Sequence, residues 1–164
     1  MLKVIVPLAS SIIASAAIAQ TEIVGNVDSK CIIISETPGV YGNPNPYQLT
    51  TTPTDGGVQP IIRYDVLAAD YYKAVIEYPI DFTSSPILDD VVSWSGSVEV
   101  SEMSDPLMAD YDTNKVAYDN ANEYSMSVAG STWFKISSAA DYGFTKSFPA
   151  GTYTAVVQAE CIPL

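Results

Sequence analysis

The chain contains no histidine. That absence excludes Ser-His-Asp and Cys-His nucleophilic arrangements and every histidine-ligated metal site. Arg63 is the only arginine, and no glycine-rich phosphate loop occurs. Lys and Arg together number 7 against 19 Asp and Glu, for a formal net charge of −12. A surface of that sign repels phosphate backbones and anionic lipid headgroups, so nucleic acid is not an expected partner. Asn-x-Ser/Thr sequons are also missing, so N-glycosylation of that type is not expected. A carboxylate pair is the one catalytic arrangement left. Asp89 and Asp90 are adjacent and would point to opposite faces of a strand, while Asp65 with Asp70 and Glu99 with Glu102 match no catalytic spacing. The expectation is a protein that is not an enzyme.

Charged residues are scarce at 16%, whereas hydrophobic residues make up 48%. That balance predicts a packed core instead of a disordered tail. The length of 164 residues fits one domain. The chain opens MLKVIVPLASSIIASAAIAQ. Lys3 supplies a positive start, an apolar run follows, and Ala17-Ile18-Ala19 fits a small-x-small cleavage pattern. Residues 1–19 are therefore expected to be a signal peptide. The competing reading, a retained anchor, is disfavoured by the Ala- and Ser-rich end of the run. No later segment is apolar over a bilayer's width, so no membrane span is expected after cleavage. The expected location is secreted or cell-surface.

Two cysteines, Cys31 and Cys161, lie near the two ends of the mature chain. In an exported protein an even pair predicts a disulfide, and two thiols without histidine make a poor metal site. The bridge would bring the first and last strands side by side, or face to face across two sheets.

Alternation with period two dominates the rest. Cys31–Ser35 is a β-branched run and a predicted strand, with Ile61–Val66 a further candidate. Tyr72, Ala74, Ile76, Tyr78, Ile80 and Phe82 share one face. Pro79 within that run predicts an edge strand or a bend. Val92, Trp94, Gly96, Val98 and Val100 share another face, as do Tyr124, Met126 and Val128. Thr132–Ser137 is a short predicted strand. After the turn at Pro149-Ala150-Gly151, Tyr153, Ala155, Val157, Ala159 and Cys161 form an inward face. The stretch from 37 to 60, rich in Pro, Gly, Asn and Thr, reads as a long loop. Asp105 and Pro106 predict a short helical start. The expected fold class is all-β: an antiparallel sandwich of about seven strands, closed by one disulfide, over residues 31–164. Residues 20–30 precede it as a polar arm in which Ile23, Gly25 and Val27 alternate.

Asp110-x-Asp112-x-Asn114 resembles the start of an EF-hand calcium loop. Position six would be Lys115 instead of glycine and position twelve Ala121 instead of glutamate, so an EF-hand is rejected. A looser calcium site on Asp110, Asp112 and Asn114 stays as an expectation beside a solvated polar loop. Calcium is the one cofactor these residues suggest. Tyr41, Tyr47 and Tyr71 offer faces for stacking on sugars, beside their ordinary role as strand formers.

The ending FPAGTYTAVVQAEC, Phe148–Cys161, resembles the terminal hairpin of secreted fimbrial and spore-coat-type domains with an immunoglobulin-like sandwich. Pilin subunits of the chaperone–usher type also begin with a short alternating arm that completes a neighbour's sheet. That resemblance implies a structural subunit of a filament, pilus or coat, with copies of itself as partners and Ile23, Gly25 and Val27 as the inserting face. This chain departs from many pilins in its cysteines, which span the domain. The second expectation is a secreted glycan- or calcium-binding module.

Overall fold

The computed structural model describes residues 30–143 and 146–164. The expected signal peptide and the arm residues Ile23, Gly25 and Val27 lie outside the described residues. The described chain is a two-sheet antiparallel sandwich of ten strands. The strands are β1 Cys31–Thr37, β2 Gly42–Asn45, β3 Gln48–Thr50, β4 Ile61–Val66 and β5 Tyr72–Glu77. They continue with β6 Ser93–Met103, β7 Val116–Tyr118, β8 Ala121–Ser125, β9 Gly130–Asp141 and β10 Gln158–Pro163. One helical turn, α1, covers Tyr111–Asn114.

β9 is the spine of the larger sheet. β6 pairs along one edge of it, from Met103↔Thr132 to Ser93↔Asp141. The other edge is shared by β4, opposite residues 130–135, and β3, opposite residues 139–141. β1 then pairs with β4, and β2 with β3. The smaller sheet runs β10-β5-β8-β7. The core lies between the sheets, where alternate residues meet. Tyr64, Ile76, Val98, Tyr124, Phe134 and Ile136 are almost wholly buried. Each such side chain contributes about 1.5–3 kcal/mol by leaving water. Phe134 sits between Tyr64 and Tyr124, with ring centroids at 5.5 and 4.6 Å. The Tyr64 hydroxyl crosses from β4 to the other sheet and donates to the carbonyls of Val75 and Glu160, at 3.2 and 3.1 Å.

The disulfide joins the sheets as the cysteine count predicts. Cys31 on β1 and Cys161 on β10 are bonded with Cα atoms 6.4 Å apart. The first and last strands face each other across two sheets instead of pairing within one.

Several boundaries differ from the sequence reading. Three short strands, β2, β3 and β7, raise the count above seven. Two of them fall in the stretch 37–60, which is not a simple loop. There the Asn43 amide donates to the carbonyls of Asn45 and Gln48, both at 2.7 Å, and tightens a polar hairpin that shows no apolar alternation. β5 ends at Glu77, before Pro79, and pairs on both sides, so Pro79 marks a bend and not an edge. β9 is twice the expected length, because its alternation continues through small buried residues, Ser138 and Ala140. Ladder pairing at the C-terminus begins only at Gln158, although half-buried and exposed residues alternate from Tyr153 onward. The Asp105 carboxylate does cap a turn, accepting from the Leu107 amide at 2.8 Å.

Candidate functional site

A sandwich exposes edge strands on two sides, and the two sides of this one are treated differently. On one side, β6 is an edge strand of the larger sheet. Two of its outward backbone groups, the Val98 carbonyl and the Val100 amide, are occupied by side chains from the α1 region and β8. The Asp112 carboxylate accepts from the Val100 amide at 2.9 Å. The Val98 carbonyl accepts from Lys115 Nζ at 2.6 Å and from the Tyr124 hydroxyl at 2.9 Å. Lys115 and Asp112 are themselves 3.4 Å apart. Burial first, and then the negative charge of Asp112, push the Tyr124 hydroxyl well above its ordinary value. Such capping protects an edge against pairing with another chain.

This arrangement bears on the calcium residues. Asp110 precedes α1, while Asp112 and Asn114 lie within it. Asp112 is engaged by the Val100 amide and Lys115, while Asp110 and Asn114 are exposed. Among the described residues no group of three or more His, Cys, Asp or Glu is placed to hold a metal ion.

On the other side, β1 and β10 are the edge strands of their sheets. The Lys30 carbonyl accepts from the Leu67 amide at 2.8 Å, which sets the phase of the β1–β4 ladder. Bonded and non-bonded positions alternate in an antiparallel pair. Ile33 and Ser35 therefore turn their backbone N–H and C=O groups away from β4, toward the free edge. Facing them is the segment leading into β10. There Thr154 pairs backward with Ser84, donating and accepting at 2.8 and 3.3 Å. Tyr153 and Ala155 consequently aim their backbone groups the opposite way, toward β1.

Between these two edges lies a groove of about 930 Å³. Ile33, Val40, Leu49 and Ile62 line it from the larger sheet and its loops; Tyr153, Ala155 and Val157 line it from the other wall. Among the described residues no charged side chain lines it. The Cys31–Cys161 bridge lies beyond its Ile33–Ala159 end. Away from the bridge, an aromatic cluster props the walls apart. Phe82 packs against Trp94, Tyr153, Phe148 and Tyr41, at centroid distances of 4.7, 5.1, 6.1 and 6.4 Å. Tyr41 bonds Ser138 Oγ at 2.9 Å, and burial raises its hydroxyl above the ordinary value.

The other residues singled out from the sequence do not converge on a site. Asp89 and Asp90 both approach Lys146, at 3.1 and 3.8 Å, and Asp89 also accepts from the Tyr142 hydroxyl. Asp65 pairs with Arg63 and accepts from Ser131 Oγ. Tyr41 lies in the groove, whereas Tyr71 is exposed at the disulfide end, so they form no common stacking platform. The sequence reading missed the groove. The alternation of Tyr153–Cys161 announced one wall, but no local signal says that β1 is an edge among the described residues. No protein family, curated protein or solved structure matches the chain. Among the described residues no helix is long and apolar enough to cross a membrane.

Proposed function

We propose that the protein is an extracellular structural subunit that assembles with copies of itself by strand addition. One observation supports this reading: two edges with outward backbone groups flank a groove without charged side chains, and among the described residues no strand lies between them. A lipid or other small apolar ligand would fill the volume but leave those N–H and C=O groups without partners, whereas a strand satisfies both. The opposite edge, capped by Asp112 and Lys115, supports selective use of the open one.

The segment Gln20–Ser29 is the donor in this account. Thr21, Ile23, Gly25, Val27 and Ser29 are its uncharged alternate positions, and Glu22 and Asp28 fall on the opposite set. An uncharged face thus meets an uncharged groove. Ten residues in a strand reach about 33 Å, enough to run beside β1 from Ile33 to Val40. The donor comes from another copy. The Lys30 carbonyl still pairs with Leu67, so the chain enters β1 in line with it, and insertion of its own arm would demand a reversal at the disulfide. A domain-spanning disulfide and an expected signal peptide support export to an oxidising compartment.

Light scattering and negative-stain microscopy of the chain Gln20–Leu164 test the reading. Concentration-dependent filaments or large assemblies are expected. A monodisperse monomer at every concentration tried contradicts it.

A further inference from the structure

The groove is not uniform along its length, and one point of it has hydrogen-bonding capacity to spare. Ile33, Ile62 and Val157 line it toward the disulfide, and Leu49 lines its far end. Between them sit hydroxyl groups. Thr51 and Ser138 line the groove although they are only 4% and 3% exposed. The Thr51 hydroxyl is committed within the fold: it accepts from the Ser138 amide at 2.9 Å and donates to the Ser138 carbonyl at 3.3 Å. Ser138 Oγ bonds the Tyr41 hydroxyl at 2.9 Å. Two hydroxyls that share one hydrogen bond use one of their two hydrogens. Whichever of them donates, one O–H is left over, and among the described residues no other group accepts it. Solvent can satisfy that O–H while the groove is open. A strand that covers the groove must bring an acceptor, or it leaves a buried donor unmade.

Ladder pairing places this point along the groove. Ile33 on β1 lies opposite Tyr64, and Tyr64 lies opposite Thr132 on β9. From Thr132 to Ser138, away from the disulfide, is about 20 Å of strand. Leu49, opposite Ala140, lies farther still. In the segment Gln20–Ser29 the uncharged alternate positions carry a hydroxyl at each end, on Thr21 and Ser29. An extended run from Thr21 to Val27 also covers about 20 Å. With Thr21 at the hydroxyl pair, Val27 falls beside Ile33, Ile23 and Gly25 cover the floor between, and Asp28 and Ser29 remain for the exit at the disulfide end. With Ser29 there instead, Lys30 would follow at once among Leu49 and Tyr153, a charge in an uncharged groove. Lys30 also belongs to its own sandwich, where its carbonyl is bonded to the Leu67 amide.

We propose that the Tyr41–Ser138 hydroxyl pair receives the Thr21 hydroxyl of another copy and so fixes the direction and register of the donated strand. This contact rests on the self-assembly reading and adds how the strand lies. β1 runs away from the bridge, from Cys31 to Thr37, whereas a strand with Thr21 at Ser138 and Val27 at Ile33 runs toward it. The pairing with β1 is therefore antiparallel, the slightly more stable arrangement per residue. The same contact opposes slippage. A shift of one residue turns Glu22 and Asp28 into the groove, and a shift that brings Ile23 to the hydroxyl pair leaves the spare O–H without an acceptor.

The test uses the full mature chain, Gln20–Leu164. Thr21→Val changes no residue of the sandwich. It is expected to raise the concentration needed for assembly by roughly tenfold, the cost of one buried donor left unmade. Thr21→Ser, which keeps the hydroxyl, should stay close to the parent. Tyr41→Phe with Ser138→Ala removes both groove hydroxyls and keeps the backbone bonds between Ser138 and Thr51. In that background the order should reverse, with Thr21→Val assembling at a lower concentration than the chain that keeps Thr21. A photoreactive side chain in place of Gln20 should link to residues 38–41 or 151–154 of a second copy. A Thr21→Val effect that is absent, or that is the same in both backgrounds, overturns the hydroxyl contact and leaves strand addition standing. Links from position 20 to Ile33 do the same, since they reverse the strand. A parent that never assembles overturns both.

Discussion

Cys31 and Cys161 hold the two free edge strands together at one end, Cα to Cα at 6.4 Å, and leave the rest of the edges apart. The bridge encloses 130 residues of separation, nearly the whole described chain. It decides both the stability of the sandwich and the shape of its groove.

Removing that bridge should be costly. A loop of this size withdraws about 4–5 kcal/mol of entropy from the unfolded chain. Cys31→Ser combined with Cys161→Ser is expected to lose stability of that order in urea unfolding, with little change in strand content by circular dichroism. A loss under about 1 kcal/mol would mean that the packed core, not the bridge, holds the two edges in place.

Asp112→Ala should expose the protected edge. The change leaves the Val100 amide without its acceptor and takes the counter-charge from Lys115. A cost of about 1 kcal/mol is expected, that of losing a partly buried hydrogen bond. Aggregation through β6 should accompany it, read by light scattering of the variant lacking Gln20–Ser29, in which strand donation is absent. A variant as stable and as monodisperse as its parent would remove the capping role.

Acid should loosen the corner that holds Asp89. Hydrogen bonds from Tyr142 and then Lys146 draw its carboxyl below the ordinary carboxylate value. A depressed acid stabilises the folded state above its unfolded value, and that contribution disappears as pH falls through the folded one. Asp89→Asn should therefore flatten the acid limb of the stability curve while leaving the region above pH of about 5 nearly parallel to the parent. NMR titration should place the Asp89 carboxyl below the ordinary carboxylate value. An Asp89 that titrates at the ordinary carboxylate value would contradict this.

Much of the fold was legible where apolar residues alternate with polar ones. β4, most of β6 and the inward placement of Cys161 show period two in their burial, and β1 was legible as a β-branched run. The ends of β9 were not legible, since Thr132, Ser138 and Ala140 fill their buried positions without being large or apolar. β2 and β3 were hidden by Asn, Gly and Pro, which form strands there because β9 offers a ladder and Asn43 ties the hairpin. The sequence offers Asp112 as a calcium ligand because its neighbours carry oxygen. Its hydrogen bond to Val100, 12 positions away in sequence, has no local signature. The groove was least legible of all, being defined by two edges that no strand among the described residues joins.

The central claim is that this groove takes the segment Gln20–Ser29 from another copy. The most direct measurement is an NMR titration of the chain Lys30–Leu164 with the synthetic peptide Gln20–Ser29. The account predicts saturable shifts confined to Ile33, Ser35, Val40, Tyr153, Ala155 and Val157, together with new protection of the Ile33 and Ser35 amides from exchange. No binding, or binding that shifts residues elsewhere and leaves those amides exchanging as before, would contradict it.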